Sequence, residues 1–347
     1  TFGSPSVLMM FYRAPGELEH ELAEMDECMP HYYKVTNNHG QGAETIMRAE
    51  ALFCQGHFTD AHIELERAYA QVRDNGQINM ALCCDFLSRR LSLHTDVEQR
   101  YTFAERYAEL LQYHDASWIN IWCATSAYYH ALRGEAEKIP KIFSQHRLST
   151  VNMLAPGKPM MEMIENQVYL AQGAYAKVVG RSAELLAVCE AMHYALVALH
   201  IRIQTAAAYE KLGKTEEARV WLRKALADAE PDSFVMPFVE NYDCLQPILA
   251  REMKNDLIVK ITGLGEAAKA RNAASVRPAA FDVLTAREFE IVELMVQRLS
   301  NREIAEKLYL SEGSVKQYAN QIYSKLHIDG DTRTKRKQLA ELLGQKP

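Results

Sequence analysis

The sequence lacks the residue patterns from which an enzyme or a metal site is usually built. Its seven cysteines are an odd number with no Cys-x-x-Cys pair, which argues against a disulfide framework and against a zinc site. The twelve histidines include no His-Glu-x-x-His motif, and no Gly-x-Ser-x-Gly or cysteine-nucleophile signature is present. We therefore expect a protein that is not an enzyme, that keeps its thiols reduced and that binds no metal or cofactor through this chain.

Long apolar runs are missing as well. No stretch reaches the roughly 18 apolar residues that a membrane-spanning helix needs, and no charged-then-apolar leader opens the chain. A phosphate-binding loop is incomplete, because Gly213-Lys214-Thr215 has the right ending but Ala208 stands where the motif needs its first glycine. These absences predict a cytoplasmic protein with no membrane partner and no nucleotide site of its own.

Alternating β-branched patterns are absent, and helix patterns fill the chain instead. Residues 43–53 and 206–211 are examples, rich in helix-forming residues with apolar spacings of three and four. Hydrophobic residues make up 48% of the sequence, enough to bury a core. We predict an all-α fold. Because the chain begins at Thr1 and not at a methionine, we expect it to be the C-terminal portion of a longer protein.

A repeat is superimposed on the helical pattern. Gly56, Gly134, Gly173 and Gly213 each separate two helical runs, and they lie 78, 39 and 40 residues apart. One unit of about 39 residues therefore recurs, with a copy lacking glycine expected near Thr95. Glycine can end a helix in a left-handed cap, and a small or apolar residue five places later lets the next helix pack closely. This pattern predicts a solenoid of helical hairpins.

The copy Ala208-Tyr-Glu-Lys-Leu-Gly213-Lys-Thr-Glu-Glu-Ala218 closely resembles a tetratricopeptide repeat (TPR). The resemblance implies a TPR-like sensor or interaction domain over residues 1–262. A stretch with Gly-Leu-Gly, several alanines and a proline follows, and we interpret residues 263–280 as a linker. Residues 281–347 then form a second, smaller domain.

Charge is distributed unevenly along the chain. The formal net charge is −6, but residues 281–347 hold 11 Lys and Arg against 10 Asp and Glu, and residues 313–347 hold 7 against 3. A locally basic end is thus attached to an acidic body. This distribution is compatible with a nucleic-acid partner for the C-terminal end.

Three short helices with well-marked starts are predicted after the linker. A hydroxyl that can accept an unpaired N–H opens each of them, and a glutamate completes a capping box in the first two. The pairs are Thr285 with Glu288, Ser300 with Glu303, and Ser311 with Ser314. Apolar residues of the three helices should share one core: Phe289, Val292, Met295, Ile304, Ala305, Leu308, Val315, Ile322 and Leu326. The turn Tyr309-Leu310-Ser311 is too short for antiparallel helices and predicts a helix-turn-helix.

Four blocks in this region resemble the LuxR-type helix-turn-helix family. They are Leu284-Thr-Ala-Arg-Glu288, Leu299-Ser-Asn-Arg-Glu-Ile-Ala305, Leu310-Ser-Glu-Gly-Ser-Val-Lys316 and Ile322-Tyr-Ser-Lys-Leu326. The sequence departs from the family at Arg298, where glycine is usual, and at Tyr318, where histidine is usual. The resemblance implies a four-helix domain that binds double-stranded DNA and regulates transcription.

In such a domain the third helix enters the major groove. The resemblance implies that Lys316, Gln317 and Asn320 read bases, since Gln and Asn can pair with adenine and Lys can donate to guanine. Phosphate contacts are expected from four further residues, Asn301, Ser311, Ser314 and Lys325. The alternative interpretation of the lysines is a solvated charged face. The capped three-helix frame favours DNA binding.

A fourth helix is predicted over residues 334–343. In the LuxR family this helix often pairs two DNA-bound domains, which implies a dimer that reads two half-sites. Leu339, Leu342 and Leu343 would supply the apolar contact, although each could equally belong to the core of its own domain. The expected partners are DNA, a second copy of the protein and RNA polymerase.

Aromatic residues mark a candidate ligand surface in the helical array. Trp118 and Trp122 lie one helical turn apart, Tyr128 follows, and Tyr32 and Tyr33 precede the first repeat. Solenoids present concave surfaces on which such residues could bind a small-molecule or peptide inducer. The alternative, and the more common situation, is that aromatics fill the space between hairpins.

A helical-hairpin array followed by a LuxR-type domain resembles the large ATP-dependent activators typified by the bacterial maltose-regulon activator. In that group the array senses an inducer, and an N-terminal domain that binds ATP drives self-association. The resemblance implies that ATP would bind in such a preceding domain, which this chain does not contain. A second hypothesis remains open, namely a TPR-like interaction scaffold that binds DNA weakly or not at all.

Overall fold

The computed structural model describes residues 3–343 except 75, 98, 114, 152, 276–280 and 282. The chain divides into two compact units, Thr1–Asn272 (unit 1) and Ala273–Pro347 (unit 2). Every regular element in the described residues is helical, which confirms the all-α prediction. The described residues contain no helix long and apolar enough to cross a membrane. They also contain no cluster of His, Cys, Asp or Glu placed to hold a metal ion.

Unit 1 is built from consecutive helices joined mostly by short turns. The α-helices are α1 (Leu8–Phe11), α2 (Leu18–Val35), α3 (Ala43–Cys54), α4 (Phe58–Asp74), α5 (Ile78–Ser92), α6 (Phe103–Leu110), α7 (Ala116–Leu132), α8 (Lys141–Ser144), α9 (Lys158–Ala171), α10 (Tyr175–Met192), α11 (Ala195–Lys211), α12 (Thr215–Ala229), α13 (Met236–Val239), α14 (Tyr242–Leu249) and α15 (Asp256–Ser275). Short 3₁₀ turns occur at Leu111–Tyr113, Ala136–Lys138, Leu148–Thr150 and Ala155–Gly157.

The glycine turns predicted from the repeat are present. Gly56, Gly173 and Gly213 connect α3 to α4, α9 to α10 and α11 to α12, and each has a left-handed φ between 73° and 79°. Five residues beyond each glycine, Ala61, Val178 and Ala218 are fully buried. Gly134 also ends its helix with a positive φ, but a 3₁₀ turn and the four-residue α8 follow it in place of a long helix. Pro140, which precedes α8, cannot continue a helix from the residues before it.

The helices of unit 1 divide into inner and outer ones. In α5, 13 of 15 residues are buried, and in α11, 12 of 17. The outer helices α10 and α12 bury only four residues each, spaced three or four apart. The inner series α3, α5, α7, α9 and α11 is continuous, because each of these helices packs against the next. A buried helix needs apolar residues on all sides, whereas an outer helix needs only one apolar stripe.

Two short helices connect the first and last members of the inner series. Both α1 and α13 pack against α3 and against α11. The N–H of Val235 donates to the carbonyl of Cys54 at 2.8 Å, and the N–H of Ala195 donates to the carbonyl of Tyr12 at 3.1 Å. In an open solenoid each repeat touches only its neighbours. Unit 1 differs, because segments from both of its ends bridge the array.

A buried ion pair lies inside this closure. Arg90 of α5 donates two hydrogen bonds to Glu240, at 2.6 and 3.1 Å, and the hydroxyl of Tyr128 donates to the same carboxylate at 2.8 Å. Burial by itself raises the pKa of Glu240, but the Arg90 guanidinium and the Tyr128 hydroxyl outweigh it and hold the pKa below its usual value. Glu240 is therefore charged and fully partnered in the core.

The first part of the predicted linker is helical. Residues 263–275 are helical and belong to α15, because alanines favour a helix and Leu264 and Ala268 pack on the core of unit 1. A β-carbon at Gly265 would overlap the ring of Tyr242, so this glycine permits close packing and does not mark a loop. Residues 276–280 of the predicted linker lie outside the described residues. The units separate between Asn272 and Ala273.

We expect Arg90→Met to lower the free energy of unfolding of unit 1 by about 3–5 kcal/mol, because it leaves the Glu240 carboxylate buried without a partner. All three tryptophans (118, 122 and 221) lie in unit 1, so their fluorescence during urea unfolding reports on this unit. Arg48→Met removes an exposed pair with Asp26 and should cost less than about 1 kcal/mol. Equal effects of the two substitutions would contradict the role of the buried pair.

Glu50 should make the stability of unit 1 depend on pH. Its carboxylate accepts the N–H of Leu8 at 2.7 Å, yet burial raises its pKa from 4.5 to about 7. The folded protein thus keeps this proton to a higher pH than the unfolded chain does, so ionisation lowers stability as the pH rises through that interval. As the pH rises from 5 to 8, we expect the unfolding free energy of Glu50→Gln to increase by roughly 2–3 kcal/mol relative to that of the wild type. A difference in unfolding free energy that does not change with pH would be inconsistent with this assignment.

Candidate nucleic-acid interface

Unit 2 contains the helices predicted for a helix-turn-helix. They are α16 (Ala286–Val296), α17 (Asn301–Leu308), α18 (Glu312–Lys325) and α19 (Thr332–Leu342). Capping boxes are present at Thr285 with Glu288 and at Ser300 with Glu303, and the hydroxyl of Ser311 accepts the N–H of Ser314 at 3.0 Å. Each cap satisfies an N–H that would otherwise be unpaired. The predicted helix starts are confirmed.

The apolar residues of these helices share one core, as predicted. Val292, Ile304, Val315 and Ile322 are fully buried, and Phe289, Leu308 and Leu326 pack against them. The turn between α17 and α18 consists of Tyr309, Leu310 and Ser311. Tyr309 adopts a left-handed φ of 55°, and the N–H of Leu310 closes the turn on the carbonyl of Ala305 at 2.9 Å. This turn fixes how α18 leaves α17.

Two polar contacts hold α16 to the helix-turn-helix, and the sequence analysis missed both. The guanidinium of Arg287 donates to the carbonyl of Leu308 at 2.8 Å, at the end of α17. The ammonium of Lys325 lies 2.7 and 2.8 Å from the two oxygens of Glu288. Burial raises the pKa of Glu288. Lys325 and the N–H and hydroxyl of Thr285 lower it by more than burial raises it, so the pKa of Glu288 lies below its usual value. The Arg287 contact holds α16 to the end of α17, and the Lys325 contact holds α18 to α16.

The ion pair changes the role of Lys325, which was expected to hold phosphate. At about 100° per residue, Lys325 lies roughly 140° around the helix from Asn320. It is bound to the nearly buried Glu288, whose side chain is 4% exposed. The structure therefore places Lys325 in an intradomain contact and away from the centre of the candidate DNA-binding face.

The base-reading candidates lie together on the outer face of α18. Lys316, Gln317 and Asn320 are exposed, while Val315 and Ala319 on the opposite face are buried. Among the described residues, none of the three side chains takes part in a hydrogen bond or ion pair with another residue. Their polar groups are available to a ligand. The face has no large apolar residue at its centre, which suits polar base edges better than an apolar protein surface.

Three predicted phosphate contacts lie at the ends of α17 and α18. Asn301 is the first residue of α17, and Ser311 and Ser314 are at the start of α18. The two serine hydroxyls are 2.8 Å apart and bonded to each other. Ser311 is exposed and Ser314 half-buried. The α18 N-terminus, with the positive end of its dipole, therefore faces solvent next to both hydroxyls. Their role toward phosphate stays a prediction.

The fourth helix divides the three predicted dimer residues. Leu339 is fully buried in the core of unit 2. Its assignment to a dimer contact is therefore wrong, and the alternative, that it belongs to the core of its own domain, is correct. Leu343 packs partly on the same core. Leu342 is 38% exposed, so of the three it is the residue that presents apolar surface to solvent.

The two departures from the family pattern have different structural settings. Arg298 follows the C-cap of α16 with a φ of 66°, a left-handed conformation that glycine adopts without strain. The family's preference for glycine at this position has a direct physical reason, and Arg298 adopts the conformation nonetheless. Tyr318 is half-buried on α18 and packs against the core of unit 2.

The aromatic residues proposed as a ligand surface of unit 1 do not form one surface. Tyr128 is 1% exposed and bound to Glu240, so its assignment to that surface is wrong. Trp122 packs edge-on against Phe103 and donates to its carbonyl, and the hydroxyl of Tyr33 is bonded to Glu44. Trp118 lines a small cavity near Leu154. Tyr32 lines a different and larger cavity beside α2.

Comparison with known proteins identifies unit 2. Residues 282–336 match the family model described as "Bacterial regulatory proteins, luxR family". A segment of 50 residues is 46% identical to the transcriptional regulatory protein LnrK of Bacillus subtilis (strain 168), covering 14% of this chain and 23% of that protein. Another of 51 residues is 41% identical to the transcriptional regulatory protein DegU of Brevibacillus brevis, covering 15% of this chain and 22% of that protein.

The C-terminal domain is therefore a LuxR-family helix-turn-helix domain, as the sequence motifs indicated. It is a DNA-binding domain of the kind found in transcriptional regulators. The chain spans less than a quarter of the length of either relative. No solved structure matches the chain significantly.

Arg298 provides a test of the α16 cap. We expect Arg298→Gly to stabilise unit 2 by roughly 1 kcal/mol, because glycine removes the steric cost of the left-handed conformation. Hydrogen exchange of the α16–α18 amides, measured by mass spectrometry, should slow correspondingly. In the matched control Arg302→Gly, glycine replaces an exposed arginine within α17, and exchange should become faster because the helix is weakened by about 1 kcal/mol. Faster exchange in both variants would contradict the cap assignment.

Proposed function

We propose that the protein is a sequence-specific, DNA-binding transcriptional regulator in which α18 reads the major groove. The observation that carries this proposal is the exposed, unpartnered set of Lys316, Gln317 and Asn320 on α18 of a LuxR-family domain. Lysine donates well to guanine, and the two amide side chains can pair with adenine. Contact with chromosomal DNA would place the protein in the cytoplasm, where RNA polymerase is its expected partner.

Phosphate contacts orient such a domain on DNA but do not specify sequence. In this proposal the N-terminal end of α18, with the hydroxyls of Ser311 and Ser314, approaches one phosphate, and Asn301 at the start of α17 approaches another. The exposed N-cap residues at these helix starts, Ser300 and Ser311, support the assignment. Lys325 contributes by holding α18 to Glu288, so it acts on DNA binding through the position of the helix.

A dimer on DNA is the second element of the proposal. Leu342 is the exposed apolar residue near the end of α19, and Leu343 beside it is partly buried. Two copies paired through these residues would read two related half-sites. Because Leu339 is used by the core, the pairing surface is smaller than the sequence suggested.

Unit 1 is proposed to sense an inducer or bind a partner protein. Its TPR-like hairpins, its size relative to unit 2 and a cavity beside α2 support this role. The alternative is an interaction scaffold in which unit 2 binds another protein. A protein-binding helix would be expected to expose aromatic or aliphatic anchors, and the polar face of α18 favours the DNA-binding function instead.

We expect selection from a random DNA pool to enrich a two-part motif. Lys316→Ala and Asn320→Ala should each weaken binding to the selected site by about 1–3 kcal/mol, and should reduce preference at one base position, because each removes a contact with a base edge. When the affinity is measured at several salt concentrations, the logarithm of the binding constant should fall linearly with the logarithm of the salt concentration, with a slope of about −0.9 per phosphate contact.

Lys254→Ala serves as the control, because Lys254 is an exposed lysine of unit 1 and carries the same charge. This variant should bind the selected site like the wild type. If both α18 variants kept full sequence preference while remaining folded, the assignment of the recognition helix would be wrong. If no motif were enriched and only weak, salt-sensitive binding were observed, the scaffold alternative would be favoured.

A further inference from the structure

Unit 1 contains a cavity of about 740 Å³ between α1, α2 and the start of α3. This volume lies within the range of about 300–1,000 Å³ that is typical of small-molecule sites. Met80 of α5, Met192 at the end of α10 and His193 complete its wall. Neither the helical repeat nor the DNA-binding domain accounts for a space of this size. Of the aromatic residues that the sequence suggested as a ligand surface, Tyr32 lines this cavity.

One face of α2 forms the long wall of this cavity. Glu21, Met25, Cys28 and Tyr32 all line it, and their spacings of four, three and four residues place them on one side of the helix. From Glu21 to Tyr32 the helix rises by about 16 Å. The cavity is therefore elongated, with carboxylates towards one end of α2 and an aromatic ring towards the other.

The body of the cavity is rich in sulfur. Its lining includes five methionines, Met10, Met25, Met29, Met80 and Met192, together with Cys28. Thioether side chains are flexible and polarisable, so they adapt to apolar ligands of differing shape. Phe11 and Tyr32, both about 40% exposed, add aromatic surface. A lining of this kind suits a long alkyl or aryl group.

The charges in the lining favour a cation. Glu21 and Glu24 both face the single guanidinium of Arg13, which donates to Glu21 at 2.9 Å and also pairs with Glu24. Two carboxylates therefore share one positive charge, so the Glu and Arg side chains of the lining together carry a net charge of −1. Glu21 is nearly buried, but Glu24 is 45% exposed, so Glu24 can turn from Arg13 towards a ligand. An anionic amphiphile would be repelled by this excess negative charge, because the guanidinium of Arg13 is already paired with the two carboxylates.

We infer that this cavity binds an amphipathic organic cation, with its apolar body along the methionines of α2 and its charged group at Glu24. The inference rests on the proposed sensing function of unit 1 and specifies the chemical class of the inducer. Charge complementarity selects the cation, the apolar lining selects the long hydrocarbon body, and the elongated shape selects a molecule with the charge at one end.

Isothermal titration calorimetry on the full chain tests the inference with two probes that each have a ten-carbon chain, decyltrimethylammonium and decanoate. Both are used far below the concentrations at which they form micelles. The ammonium should bind with one-to-one stoichiometry, and decanoate should bind at least about tenfold more weakly, because the local charge is negative. Equal affinities for the two probes would overturn the inference.

Variants on α2 locate the site. Glu24→Gln should weaken binding of decyltrimethylammonium by about threefold or more, as expected for a partly exposed charge. Glu27→Gln, on the same helix but outside the cavity lining, should not change it. Cys28→Trp should fill the cavity and reduce the affinity at least about tenfold. Ala23→Trp, which places the same ring on the exposed side of α2, should leave the affinity unchanged. Binding unaffected by Cys28→Trp would mean that the probe binds elsewhere.

Thiol protection provides a measurement that needs no variant. Cys28 is exposed, and the other six cysteines of this chain are buried or half-buried. Decyltrimethylammonium should slow alkylation of Cys28 by iodoacetamide, as measured by mass spectrometry, and decanoate should not. Unchanged alkylation at saturating probe would overturn the inference.

The DNA-binding function is tested separately, because the titrations contain no DNA and the DNA-binding assays contain no amphiphile. Loss of cation selectivity with intact sequence-specific DNA binding would overturn only the cavity assignment. Cation binding at the cavity without sequence-specific DNA binding would overturn only the regulator proposal.

Discussion

A guanidinium and a carboxylate removed from water connect the inner helix α5 to the segment that follows α13. Arg90 lies on the second inner helix and Glu240 lies 150 residues later, after the short helix that bridges α3 and α11. Each charge would be costly alone in the core, and each is tolerable only because the other is present. The packing of α13 on α3, the hydrogen bond of the buried Tyr128 to Glu240 and the close approach of Val235 to Cys54 all lie beside this pair.

Unit 2 depends on a different principle, the satisfaction of helix ends. Its helices are short, so unpaired N–H groups make up a large part of their backbone. Thr285, Ser300 and Ser311 satisfy them with hydroxyls, and Arg287 satisfies the carbonyl of Leu308 at the far end of α17. With the ends fixed locally, the small core needs to hold α18 on only one side. The other side is left polar, exposed and unpartnered, which is what a helix that enters the major groove requires.

The sequence was most informative where a local rule decides the structure. Caps, glycine turns and apolar spacing predicted the helix starts of unit 2 and the hairpin turns at Gly56, Gly173 and Gly213, because these features depend on neighbouring residues. The segment that contains Gly263 and Gly265 was interpreted as part of a linker. The sequence does not show that Gly265 is needed for close packing against the ring of Tyr242, which lies on another helix. Lys325 was assigned to phosphate and Leu339 to a dimer contact because their positions on the helices did not show their partners; the fold places Lys325 against Glu288 and Leu339 in the core.

The same limit applied to the candidate sites. Lys316, Gln317 and Asn320 could be identified because a family motif fixes their register on one helix. The cavity beside α2 could not, because its methionines come from α1, α2, α5 and the end of α10, and no short motif records that they meet. Tyr128 shows the converse, since an aromatic in a repeat looks like a ligand contact until its hydroxyl is found bonded to Glu240.

The bridging of α3 and α11 by α1 and α13 bears on how this architecture can evolve. Open repeat arrays readily gain or lose whole repeats by duplication or deletion, since each added unit needs only a neighbour to stack on. In unit 1 an extra hairpin between α3 and α11 would separate the two helices that α1 and α13 must both reach, and would pull Glu240 away from Arg90. The number of hairpins is therefore fixed by the closure, and descendants of this protein should diversify by substitution within the hairpins while their number stays constant.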